Sequence, residues 1–172
     1  MSERRLVELV DANGTAVGAC EVAEAHTPPG RLHRAFSVLL FDGSGRVLMH
    51  RRALDKSRFP GVWTNTCCSH PAPGADLIDS ARQRLEEELG LRVDELREMG
   101  RFVYRADDHA SDVVEHEYDH VLVGECDADP TPDPSEIHSW RWMAPGEVRE
   151  ALRRHPERHS PWLSGVLRFT IE

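Results

Sequence analysis

The segment Asn65-Thr66-Cys67-Cys68-Ser69-His70-Pro71, taken with Glu115 and Glu117 much later in the chain, supplies thiol, imidazole and paired carboxylate. On a strand, Glu115 and Glu117 share one face with Cα atoms roughly 6.6 Å apart. Two carboxylates held that close repel unless a cation or a shared proton neutralises them, and a metal ion is the economical solution. His26 and His33 flank the Pro28-Pro29-Gly30 turn, so three imidazoles and two carboxylates could converge on one ion. A mixed nitrogen and oxygen donor set suits a first-row divalent metal better than calcium or a structural thiolate zinc. Taken singly, a histidine is more often a surface or satisfied core residue than a ligand. His50, His109, His116, His120, His138, His155 and His159 are read that way; His26, His33 and His70 depart from it only jointly.

The elements that must carry these groups follow from local pattern. Asn13-Gly14 is a turn signal, so residues 5 to 20 read as a hairpin, followed by an extended loop through residues 25 to 30. Residues 34–41 and 46–50 form a second hairpin around Asp42-Gly43-Ser44-Gly45. From Phe59 to Gly74 the density of Pro, Gly, Trp and Cys predicts an irregular functional loop. Asp76 caps a helix to Leu89, with Ile78, Ala81, Leu85 and Leu89 at helical spacing and Gly90 ending it. Strands follow near 99–105, 113–124 and 137–143. Pro145 opens a helix to about Arg154, and Pro161 precedes a last one at Trp162.

The 172 residues, 40% hydrophobic, suffice for one core and fit a single domain over residues 1–172. A net charge of -9 repels nucleic acid and anionic membranes, so an anionic ligand must meet a local cluster of Lys and Arg. Arg51, Arg52 and Lys56, beside the Cys-His segment, are such a cluster. The start, Met1-Ser2-Glu3-Arg4-Arg5, lacks a signal-peptide core, and the longest apolar run is 38–41, so neither export nor membrane insertion is expected. The chain reads as cytoplasmic. Adjacent Cys67 and Cys68 make a strained bridge, and Cys20 and Cys126 read as small buried hydrophobes, so reduced thiols are expected.

The run Arg84-Leu85-Glu86-Glu87-Glu88-Leu89-Gly90-Leu91 resembles the end of a Nudix box, but Ser69, Ala75 and Gln83-Arg84 break the hydrolytic pattern. Individually, these glutamates fit a solvated helix face with pairs such as Arg84 with Glu88. From Leu6 to Trp162 the chain resembles type I isopentenyl-diphosphate isomerase. The residues that carry the likeness are Leu32-His33-Arg34-Ala35-Phe36-Ser37, Trp63-Thr64-Asn65-Thr66-Cys67-Cys68, His70-Pro71 and Glu115-His116-Glu117. The resemblance implies an α/β (α+β) fold, a Nudix-like mixed β-sheet sandwiched between helices. It implies His26, His33, His70, Glu115 and Glu117 as ligands of a manganese or zinc ion and Glu88 as a magnesium ligand. Cys68, Glu117, Tyr104 and Trp162 are implied as catalytic, and Arg52, Lys56 and Arg84 as diphosphate contacts. The expected substrate is a small prenyl diphosphate, the product feeds isoprenoid synthesis, and the chain is expected as a monomer or weak homodimer.

Moving a double bond by one carbon requires adding a proton to an unactivated alkene and removing another, through a tertiary carbocation with water excluded. Cys68 and Glu117, the latter hydrogen-bonded to Tyr104, suit the two transfers and the Trp162 indole suits the cation; which group donates first is left open. The chain departs from the family at Val22, where a diphosphate-contacting lysine is expected, at Ser69 and at Ala75. Alternatives are a homologue acting on a different prenyl phosphate, a Nudix pyrophosphohydrolase, and a non-catalytic metal- or phosphate-binding homologue.

Overall fold

The computed structural model describes residues 5–171. Along the chain run β1 (Leu6–Val10), β2 (Ala16–Glu21), a single helical turn α1 (Val22–Ala25), β3 (His33–Phe41), β4 (Val47–Arg52), β5 (Trp63–Thr64) and β6 (Cys67–Ser69). Then come α2 (Leu77–Leu89), β7 (Arg97–Asp108), β8 (Val113–Glu125), β9 (Ile137–Met143), α3 (Pro145–Arg154) and α4 (Leu163–Thr170). The strands form one mixed sheet in which β3 is the hub, pairing antiparallel with β1, β4 and β6 and parallel with β8.

The apolar run of β3 is buried on both faces, as a central strand between helical layers must be. Phe36, Val38 and Leu40 pack with Leu48 and Leu122 against Ala81, Leu85 and Leu89 of α2. Leu39, with Val47 and Met49, faces Val148 of α3 and Leu163 and Leu167 of α4. The α2 helix is bounded as its sequence predicts: the Asp76 side chain accepts from the Asp79 amide at 2.9 Å, and Gly90 closes it at φ 65. No described helix is long and apolar enough to cross a membrane.

Three local expectations are corrected. The segment between Phe59 and Gly74 is not wholly irregular, because β5 and β6 lie within it. The β3–β4 hairpin pairs only at Phe41 with Val47 and then splits. Both have one cause, in that the 63–69 segment fills the split: β5 pairs with β4 and β6 with β3. Thr66 is the wedge, accepting from Leu40 N at 2.9 Å and donating to Leu48 O at 2.7 Å, so its hydroxyl replaces the missing ladder bonds. Third, β2 runs directly into α1 instead of a wholly extended loop, and this turn ends at His26.

Candidate active site

The wedge explains how two adjacent cysteines come to face opposite ways. On a strand, neighbouring side chains alternate. Cys67 turns to α2 and is fully buried, donating to Glu88 Oε2 at 3.1 Å. Cys68, half-buried, turns to the other face, into a cleft of about 550 Å³. Its thiol donates to Asn65 Oδ1 at 3.1 Å, and Trp162 Nε1 donates to its sulfur at 3.2 Å. Asn65 is itself locked by bonds from Nδ2 to the carbonyls of Val38 and Cys67. Burial, reinforced by the charge of Asp119, pushes the Cys68 thiol up to about 12.

Across the cleft lies the expected cluster. One ligand atom from each of His26, His33, His70, Glu115 and Glu117 lies within 4.8 Å of the others. Parallel pairing sets His33 beside Glu117, and the strand period puts Glu115 and Glu117 on one face. His26 Nε2 is 2.9 Å from Glu115 Oε2, and His70 and His33 Nε2 lie 2.6 and 3.3 Å from Glu117 Oε2. The Nδ1 groups of His26 and His33 donate to the carbonyls of Val22 and Arg31, both at 2.7 Å. With Nδ1 so used, each Nε2 of a neutral ring presents a lone pair to a carboxylate. That arrangement requires a proton or a cation between them, and outer bonds of this kind orient imidazoles for a metal. The donor chemistry therefore fits a divalent ion. His70 Nδ1 has no hydrogen-bond partner among the described residues, and burial lowers this imidazole to about 3. Burial opposes ionisation of Glu117, yet the adjoining His33 and His70 imidazoles hold it well below the usual carboxylate range.

Tyr104, opposite Glu117 in the β7–β8 ladder, donates its hydroxyl to Glu117 Oε1. Tyr104, Trp162, Phe59 and Phe102 line the thiol with an apolar wall, the Tyr104 and Trp162 rings 5.9 Å apart. The expected diphosphate contacts lie at the same mouth, each with a protein partner. Arg52 donates to the carbonyls of Phe59 and Arg58 and lies 5.4 Å from the Trp162 ring centre, Lys56 pairs with Glu136, and Arg84 pairs with Glu88 at 2.5 Å. Glu88 is buried rather than solvated, unlike exposed Glu86 and Glu87. Val22, at 1% exposed, is a core residue packed with Val7, Leu9, Cys20 and Ala25.

Sequence reasoning missed Arg5, Ser37, Asp119 and Glu136. Ser37 donates to Asp119 Oδ2 at 2.7 Å and lies 3.6 Å from the Cys68 sulfur. Burial, then the charge of Glu117, raises the Asp119 carboxyl well above the ordinary range. The period of two that joined Glu115 to Glu117 reaches Asp119 as well, so the signal was available. His50 and His120 are satisfied core histidines as expected, held by Thr66 O and by Glu98 and Arg34.

The Nudix domain pattern matches residues 31–165. An isopentenyl-diphosphate Delta-isomerase of Nocardia farcinica is 58% identical over 94% of this chain and 91% of its own length. The protein of the same name from Streptomyces coelicolor is 47% identical over 96% and 83%. Among solved structures, a Deinococcus radiodurans protein superposes with a TM-score of 0.79 at 20% identity, covering 98% of this chain and all of the other. A MutT Nudix hydrolase from Burkholderia pseudomallei gives 0.62 at 15% over 81% and 98%, a likeness of fold. With the family pattern over most of its length and relatives this similar, the chain belongs to the Nudix domain family and, within it, to the isopentenyl-diphosphate Delta-isomerases.

Proposed function

We propose that this enzyme interconverts isopentenyl diphosphate and dimethylallyl diphosphate at the cleft between Cys68 and Glu117. The observation that carries the reading is the placement of two proton-carrying groups, the Cys68 thiol and the Tyr104-bonded Glu117 carboxylate, on one cleft beside an aromatic wall. One group adds a proton to the alkene and the other removes one from the neighbouring carbon. Because both directions pass through the same cation, each is acid one way and base the other. The Trp162 face and the Tyr104 ring stabilise the tertiary cation and, with Phe59 and Phe102, keep water from trapping it as an alcohol. Ser37, itself bonded to Asp119, steadies the thiol from behind.

His26, His33, His70, Glu115 and Glu117 would hold one manganese or zinc ion, and Glu88 a magnesium ion. Bound there, the first ion fixes Glu117 and tunes its acidity, and the second neutralises diphosphate charge. Arg52, Lys56 and Arg84 border the mouth where the diphosphate would lie. Hydrolysis is disfavoured because α2 buries a single carboxylate, Glu88, and carries Gln83 and Arg84 on the preceding turn. Free thiols at Cys20, Cys67, Cys68 and Cys126 accord with work in the reducing cytoplasm. Proton NMR of the purified protein with isopentenyl diphosphate and magnesium tests the reading. A shifted double bond is expected; release of phosphate, or an unchanged substrate, refutes it.

A further inference from the structure

The chain entering β1 brings a guanidinium to the mouth of the cleft. Arg5 lines the catalytic cleft and also an adjoining hollow of about 400 Å³, which it shares with Arg84, Gln83, Ala75 and Val22. The small side chains at 22 and 75 leave that hollow open, and position 22 presents it with only an apolar surface. The backbone fixes Arg5 there, since its carbonyl accepts from the Val22 amide at 2.8 Å. Its Nε is buried and has no hydrogen-bond partner among the described residues, and the same is true of Arg84 Nε. Burial and the like charge of Arg84 both disfavour the Arg5 cation, against a weaker pull from Glu88 and Glu136. Two like-charged guanidinium groups bordering one opening, in a chain of net charge -9, call for an anion between them.

We propose that Arg5 is a substrate-binding residue whose guanidinium, opposite Arg84, takes oxygens of the prenyl diphosphate and supplies the cation that position 22 lacks. This deepens the isomerase reading and rests on it. Two measurements on the metal-loaded protein test it, steady-state kinetics on isopentenyl diphosphate and calorimetric titration with inorganic pyrophosphate and magnesium, for wild type, Arg5→Gln and Arg5→Lys. Loss of one charge-assisted bond should raise KM and weaken pyrophosphate about ten- to a hundredfold in Arg5→Gln. A contact made equally in ground and transition states leaves kcat nearly unchanged, and Arg5→Lys should recover part of the loss. Unchanged KM and pyrophosphate affinity, with or without a lower melting temperature, would overturn the proposal and leave Arg5 as a partner of Glu88 and Glu136. Should wild type itself move no double bond, the isomerase reading fails while the pyrophosphate titration still decides the role of Arg5.

Discussion

Replacing each of the two adjacent cysteines by alanine should separate stability from turnover. Cys67 is wholly buried against α2, and its thiol donates to Glu88. Cys67→Ala removes roughly 1 kcal/mol of apolar burial and a hydrogen bond to a charged acceptor worth about 1.5 to 3 kcal/mol. A loss of about 2 to 4 kcal/mol lowers Tm by roughly 5 to 15 °C in a chain of this size. Glu88 keeps its Arg84 partner, so turnover should stay within about tenfold, or about 1.4 kcal/mol of barrier. Cys68→Ala does the reverse. Its sulfur faces the cleft, so stability should fall by no more than about 1.5 kcal/mol for the lost thiol bonds, while removing one proton-transfer group costs about 10²- to 10⁴-fold in turnover. Proton NMR of substrate conversion and thermal melting by circular dichroism, with metal content checked in each protein, read both axes. Equal loss of turnover in the two variants, with both folded, would refute the strand-alternation argument.

Tyr104→Phe removes the only described hydroxyl donor to Glu117 Oε1 and should cut kcat about 10- to 100-fold, the worth of one bond to a charged group, with binding of pyrophosphate unchanged. His70→Ala takes one imidazole from the five-residue cluster and should lower bound transition metal well below one equivalent by elemental analysis; full retention would show the cluster wrongly assigned. His50 is buried and neutral, lowered to about 3 by burial and then by Arg52, whereas the unfolded imidazole titrates near 6.5. Its contribution is therefore complete above about pH 6.5 and lost as pH falls towards 3, at about 1.4 kcal/mol per unit. Urea unfolding of wild type and His50→Gln should show the shallower slope in the variant.

Most of this site was legible because its chemistry is written in short spacings. Glu115 and Glu117 needed only the period of a strand, and α2 announced both ends through Asp76 and Gly90. What stayed hidden depends on contacts distant in sequence. Nothing local says that Thr66 splits the β3–β4 hairpin, since its hydroxyl bonds to Leu40 and Leu48 exist only once those strands are in place. Arg5 was invisible for the same reason: on its own it is one basic residue near a terminus, and only the fold shows that it shares an opening with Arg84. Val22 could not be judged from sequence either: the family likeness sets a diphosphate-contacting lysine there, and only the fold shows that the valine both packs with Val7, Leu9, Cys20 and Ala25 and borders the hollow beside Arg84.

The parallel pairing of β3 with β8 has a consequence for how the enzyme comes into being. Ser37 and Asp119 are 82 residues apart in the chain, and His26 and Glu115 are 89 apart. Closing a loop of that length costs about 2.5 kcal/mol more in chain entropy than closing a turn of about five residues. The β1–β2 and β7–β8 hairpins can form before that cost is met, but the ligand cluster cannot. Contacts of such separation slow folding, so the ligand cluster forms only after the hairpins that flank it. A nascent chain cannot gather all five ligands until β8 has left the ribosome.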